Sequence, residues 1–250
     1  MKSKVELQNL SNSFYKDNRE IKVLDNICLK LYDGEFISII GPSGCGKSTI
    51  FNIICGLESS YSGLITIDGV KLKKSAKRFA YMPQKDLLMP WKKLMDNLIL
   101  PLEIQGIDKK NAYIQVNELI EIFGLKGFEG AYPCELSGGM KQRAALLRTF
   151  LIDSDIMLLD EPFGALDAIN RDKLQQWLLG IWDKLRRSVI FITHSIDEAI
   201  YLSDRIYVLS ERPAKVSMEL KINIERPRVK SIITSKKFMD YKALLLSALE

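Results

Sequence analysis

Residues 41–49 read GPSGCGKST. The stretch matches G-x-x-x-x-G-K-[ST]. It follows the apolar run FISII and opens STIFNIICGL, whose apolar residues recur at helical spacing as far as Gly56. Strand, glycine loop and helix in that order are the setting the motif requires. A continuous apolar run of this kind marks a strand buried on both faces of a parallel sheet. In the loop formed by Gly41, Pro42, Ser43, Gly44, Cys45 and Gly46, the glycines let backbone N–H groups turn inward as a nest for phosphate oxygens. Lys47 brings a charge to the β and γ phosphates, Ser48 a hydroxyl for Mg²⁺, and Thr49 a further hydroxyl for the α/β region.

Working outward, alternation at 4–8 and 27–31 predicts strands ahead of the loop, with DGE at 33–35 as a turn. GLITIDG and RFAYMPQ are two more short strands. From Leu94 to about Glu135 the character becomes helical. NAYIQVNELIEIFGL is expected to place Ile114, Leu119, Ile122 and Phe123 on one face, and Gly124, Gly127 and Gly130 then break the chain. SDIMLLDEP and RSVIFIT are buried-strand runs separated by the helical INRDKLQQWLLGIWDKL, which makes a right-handed crossover unit. The tail from Pro213 holds the alternating KVSMELKINI, then RPR and a helix-like FMDYKALLLSAL. The expected organisation is one α/β nucleotide-binding domain over 1–250. Its core covers 1–93 and 144–225, a helical subdomain 94–143, and a short tail 226–250.

Composition narrows the class. Apolar residues make up 47% of the 250 and support a sizeable core. No run approaches the ~20 apolar residues of a membrane span, and MKSKVELQNL lacks signal-peptide features, so a soluble cytosolic protein is expected. Cys28, Cys45, Cys55 and Cys134 have no CxxC spacing, which argues against a zinc site or a disulfide framework. The net charge of +5 is too diffuse to point to nucleic acid.

Three further features carry chemistry. In IMLLDEP, Asp160 falls at the carboxyl end of a buried strand, where its carboxylate can hold Mg²⁺ through water. Glu161 comes next, where a carboxylate can orient and polarise attacking water. His194, the one histidine, ends SVIFIT. It is either a strand-end residue with a backbone hydrogen bond or an imidazole reaching the γ-phosphate. Gln84, after RFAYMP, is either a loop amide or a ligand to Mg²⁺ and water. Finally, LSGGMKQR at 136–143 sets Ser137, Gly138 and Gly139 at a helix start, a second anion nest about ninety residues beyond the first.

Taken together, Gly41–Thr49, Gln84, Leu136–Arg143, Asp160–Glu161, ALD at 165–167 and His194 resemble the ATP-binding cassette ATPases of ABC transporters over nearly the whole chain. The resemblance implies a P-loop NTPase with a RecA-like parallel core sheet, an N-terminal antiparallel β portion and an inserted helical subdomain. It implies ATP and Mg²⁺ as ligands, Mg²⁺ held by Ser48, Gln84 and Asp160, and a head-to-tail homodimer that clamps two ATPs. By the same resemblance Phe14, with Tyr15 as the alternative, would stack on adenine. Gln84 would sense both the γ-phosphate and the membrane partner. Ser137, Gly138 and Gly139 would bind the γ-phosphate held by the opposite subunit. Asp167 would lie across the dimer seam, and His194 would be the switch histidine. Met140 stands where the family more commonly has Gln.

A narrower resemblance, to importer ATPases for nitrate, sulfonate and taurine, rests on LLMPWKKLMDNLILPLE, LSERPAKV and ERPR. It implies a bacterial subunit at the cytoplasmic face of the membrane that works with integral permease subunits, indirectly with an extracytoplasmic solute-binding protein, and not with nucleic acid. Pro90-Trp91 is either a docking anchor or packing for the helical lobe. The ~35 residues beyond Arg212 are too few for a regulatory β-barrel. Competing readings are an exporter subunit and a soluble ATPase acting on nucleic acid or ribosomes. The single cassette, with neither heptads nor CxxC, weighs against the latter.

Overall fold

The computed structural model describes residues 3–17, 19–72 and 79–249; Arg78, which begins the expected strand RFAYMPQ, lies outside them. The chain forms two compact units. The first comprises Met1–Phe79, Asp155–Asp160 and Gln176–Glu250, and the second Ala80–Ser154 and Glu161–Gln175.

In the first unit β1 (Ser3–Lys16) and β2 (Arg19–Tyr32) form a long antiparallel hairpin. It is extended by β4 (Ser62–Ile67) and β5 (Val70–Lys71) in the order β2-β1-β4-β5. Ile27, Leu29 and Leu31 are buried while Cys28 and Lys30 face out, as the two-residue period requires. Between β2 and β4 lie β3 (Phe36–Ile40) and α1 (Lys47–Ile54), the strand and helix expected to flank the glycine loop.

β3 is an inner strand of the second sheet, whose strands in this unit also include β7 (Ile156–Asp160), β8 (Ser188–Ile192), β9 (Arg205–Leu209) and β10 (Val216–Lys221), in the order β10-β9-β3-β8-β7. β3, β7, β8 and β9 run parallel, and β10 is antiparallel to β9. All four parallel strands are buried at every position, which is why they are mainly apolar rather than alternating. Register sets the level of the strand ends: Ile192 pairs with Ile39 on one side and Asp160 on the other. Three strands therefore end at one level, and the loops after them open on a single edge.

The unit is completed by α6 (Ile196–Leu202), α7 (Lys236–Leu249) and the C-terminal part of α5 (Ala168–Leu185). Trp182 of α5 meets Phe36 edge-on at 6.0 Å and donates from its indole to the Arg187 carbonyl at 2.7 Å. The RPR stretch of the tail is a clasp. Arg226 lies over the Trp182 ring at 4.1 Å and donates to Asp204 and to the Leu202 carbonyl. Arg228 is buried and donates to the carbonyls of Ile200, Tyr201, Ser203 and Ile224, closing the end of α6; burial pushes its pKa down to about 10. Arg228→Met removes the donor those carbonyls share and is expected to cost about 3 kcal/mol, read as a lowered midpoint in urea unfolding.

The second unit holds β6, whose bounds are Phe79–Met82, with α2 (Leu94–Ile104), α3 (Lys109–Ile120) and α4 (Gly138–Phe150). The stretch 94–143 falls wholly inside this unit. Asp108 caps α3 by accepting from the Asn111 N–H at 3.1 Å. The buried stripe of α3 differs from the expected one. Ala112, Val116 and Ile120 line it and Phe123 continues it, whereas Ile114 and Ile122 are about half exposed. The seam follows the four-residue row 112–116–120, and a seam that narrow leaves β-branched residues two positions away facing solvent.

Candidate functional site

The glycine loop lies where β3 ends and α1 begins. Gly46 has φ +123° and precedes the first residue of α1. A Cβ there would come within 2.8 Å of Val23 and 2.9 Å of Leu24, so both conformation and close packing require glycine. Lys47 is buried, and its ammonium donates to the carbonyls of Gly41 and Pro42 at 2.8 and 2.9 Å. Those bonds curl the loop around the amine and hold a fixed positive charge at the mouth of the nest. Ser48 and Thr49 follow in the first turn of α1, half-buried. Asp160, 1% exposed, ends β7, against which α1 packs.

His194 is exposed just after β8, two residues beyond Ile192, which is level with Asp160 and Ile39. Its loop is stiffened from both sides. The Thr193 hydroxyl donates to Glu198 at 2.6 Å and accepts from the Ser195 N–H at 3.0 Å, while Ser195 caps α6 by accepting from the Glu198 N–H. In this unit, then, the structure brings Lys47, Ser48, Asp160 and His194 to one sheet edge.

The hairpin separates the two aromatic candidates. Phe14 pairs with Ile21 and Tyr15 with Glu20, so the two side chains point to opposite faces. The face of Phe14 and Ile21 continues to Val23, the residue packed on Gly46. Tyr15, 74% exposed, lines instead a polar groove with Ser13, Glu20 and Lys22. Phe14 is 40% exposed and is the aromatic on the side of the glycine loop.

In the second unit Gln84 and Glu161 come together: the Gln84 amide donates to the Glu161 carboxylate at 3.2 Å. Glu161 has φ +48°, a left-handed conformation that costs a non-glycine residue about 1–2 kcal/mol. Its carbonyl accepts from the Gly164 N–H and from the side chain of Gln142, each at 3.1 Å.

Ser137 is the N-cap of α4, extended at φ −65° and ψ 160°, with its hydroxyl accepting from the Met140 N–H at 3.2 Å. Ser137 and Gly138 are exposed, and a Cβ on Gly138 would meet nothing within 4 Å. The helix is pinned from its side by Arg143, which donates to the carbonyls of Phe123, Gly124 and Gly139. Asp167, also exposed, accepts from the Asn170 N–H and amide, and these bonds hold its carboxyl below the usual carboxylate range.

After Gln84 the chain makes a turn that is held from beneath. Asn97, fully buried, accepts from the Met89 N–H and donates to the carbonyls of Met89, Lys92 and Lys93. Arg148 of α4 donates to the carbonyls of Asp86 and Leu87 at 2.7 and 2.9 Å. Trp91 stands on this turn 73% exposed, so it does not pack the helical lobe.

Residues 24–164 match the family described as ABC transporter, more than half of the chain. The chain belongs to the ABC transporter family. An uncharacterized ABC transporter ATP-binding protein, MJ0412 of Methanocaldococcus jannaschii, is 44% identical over 250 residues, covering 100% of this chain and 92% of that one. The aliphatic sulfonates import ATP-binding protein SsuB of Bacillus cereus is 43% identical over 248 residues, 98% of this chain and 96% of its own. Among solved structures, the dimeric post-hydrolysis state of the ATP-binding cassette MJ0796 bound to ADP and Pi superposes with a TM-score of 0.81. It is 29% identical and covers 88% of this chain and all of that one.

The family membership fits the ATPase fold and the motif order. Two buried amides that hold these loops are not evident in the sequence. Gln142 sits in MKQR, where its polarity in an otherwise mixed helix gives no sign that it is buried against Glu161. Asn97 lies in an apolar helix, and a lone buried amide in such a run is the available signal.

Proposed function

We propose that this chain is the ATP-hydrolysing, energy-coupling subunit of an importer for sulfonate-like solutes, of the nitrate, sulfonate and taurine type. On this reading it works as a head-to-tail homodimer beneath an integral membrane permease, at the cytoplasmic face of a bacterial membrane. A solute-binding protein outside would supply the cargo. The observation that supports the reading is the exposed start of α4 at Ser137–Gly138, on a different unit from the loop of Lys47. The near full-length likeness to a sulfonate import subunit supports the solute class. No described helix is long and apolar enough to cross a membrane.

In this account the Gly41–Thr49 loop cradles the α and β phosphates, Lys47 neutralises charge on the β and γ groups, and Phe14 stacks on the base. Among the described residues no three His, Cys, Asp or Glu side chains gather to hold a metal on their own. The hard oxygen donors of Ser48, Asp160 and Gln84 fit Mg²⁺, which keeps waters and shares phosphate oxygens. When bound, that ion would draw charge from the β and γ oxygens.

Glu161, steadied by Gln84, orients water for in-line attack on the γ-phosphorus. The bond from that phosphorus to the β,γ-bridging oxygen breaks, leaving ADP and inorganic phosphate, and the water proton passes toward the carboxylate. His194 stabilises the transferred group, and Ser137, Gly138, Gly139 and Asp167 complete the site from the opposite subunit.

Purification of the tagged chain from a detergent extract is expected to bring down a polytopic membrane protein; recovery with ribosomes or nucleic acid instead would contradict the reading. Trp91→Ala is expected to cut that recovery at least about tenfold, as for an aromatic docking anchor. ATP binding by the free variant serves as the folding control.

A further inference from the structure

We propose that Gln142 is a positioning residue for hydrolysis, holding the peptide of Glu161 and so tying the general base of each chain to its own signature helix. The inference rests on the reading of Glu161 as that base.

Glu161 is held against two preferences. A non-glycine residue avoids φ +48°, and a residue that precedes proline, here Pro162, is pushed toward extended backbone. Its peptide therefore keeps this orientation only where donors fix the carbonyl. One donor is local, the Gly164 N–H of the same turn. The other comes from outside the turn: Gln142, 6% exposed, reaches in from α4 at 3.1 Å. With that amide removed, the carbonyl loses the donor that comes from outside its turn, and the carboxylate is held less firmly in the position in which Gln84 meets it. A displacement of that size at a base is felt in the chemical step more than in binding.

The origin of the donor adds a consequence. Gln142 lies little more than one turn along the helix that Ser137 caps. In a head-to-tail dimer that cap meets the phosphate of the opposite site, while Glu161 serves the site of its own chain. A rigid helix thus carries the nest of one ATP site and the anchor for the base of the other.

Gln142→Met keeps the side-chain length and removes the donor. Its kcat is expected to fall about 10- to 100-fold with KM for ATP unchanged within about twofold. Gln142→Glu, which sets an acceptor against the carbonyl, is expected to behave alike and guards against a defect peculiar to methionine. In a Glu161→Gln background, Gln142→Met is expected to add no further slowing and to leave ATP-dependent dimer formation intact, which a merely structural role would disturb. A kcat within about twofold of wild type for both single variants overturns the proposal. So does a multiplied defect in the double variant, or loss of its dimer. The reading beneath it fails separately: if Glu161→Gln alone hydrolyses ATP at the wild-type rate, Glu161 is not the base. A slow Glu161→Gln beside fast Gln142 variants removes Gln142 alone.

Discussion

Glu161→Gln is expected to lower kcat for ATP hydrolysis about 10²- to 10⁴-fold, the range lost when a positioned general base is removed, while ATP still binds. The amide keeps the shape of the carboxylate and its contact with Gln84, but no longer accepts a proton readily from water. The backbone anchors on the Glu161 carbonyl, from Gly164 and Gln142, do not involve the side chain. The variant is therefore expected to fold as the parent does. Steady-state phosphate release and equilibrium nucleotide binding measured on one preparation separate the two effects. A fall in affinity that matches the fall in rate would show that Glu161 binds ATP rather than activating water.

Ser137→Arg is expected to reduce turnover to below about 1% of wild type, because the nest is composed of small groups whose N–H donors must reach a phosphate closely. A long guanidinium at the helix cap fills that space and removes the hydroxyl that accepts from Met140. ATP binding by the isolated chain is expected to persist, since Lys47 and the glycine loop belong to the first unit and Ser137 to the second. Isothermal titration with ATP and a phosphate-release assay give the two readouts. Loss of binding in the monomer would mean that LSGG serves the nucleotide of its own chain.

The fold is legible where one local rule governs many residues at once. β3, β7 and β8 are buried at every position, and nothing competes with the reading of their three apolar runs as buried strands; β9, equally buried, opens on Arg205 and is not among the runs read from the sequence. The loop of Lys47 is legible because its glycines answer to a steric demand visible at Gly46. The α3 stripe is not, because Ile114 and Ile122 satisfy a helical period equally well on the wrong side of the helix; choosing between Ala112–Val116–Ile120 and its neighbour needs the partner surface. Phe14 and Tyr15 are adjacent aromatics, and only the pairing with Ile21 and Glu20 assigns each a face.

The role of Gln142 is out of reach for a different reason. It depends on the left-handed backbone of Glu161, which no residue type in DEPFG announces, and on a bond across nineteen positions. Trp91 is half legible: proline next to tryptophan indicates a turn, while its exposure comes from Asn97 and Arg148 holding that turn from below.

On the proposed reading, one chain carries two half-sites that meet only across a dimer. Size-exclusion chromatography with light scattering of Glu161→Gln, in ATP and Mg²⁺, tests it most directly. The expected result is a shift from 28.5 kDa to about 57 kDa, twice the chain mass, reversed when Ser137→Arg is added. A Glu161→Gln protein that binds ATP yet stays at the mass of one chain would contradict it.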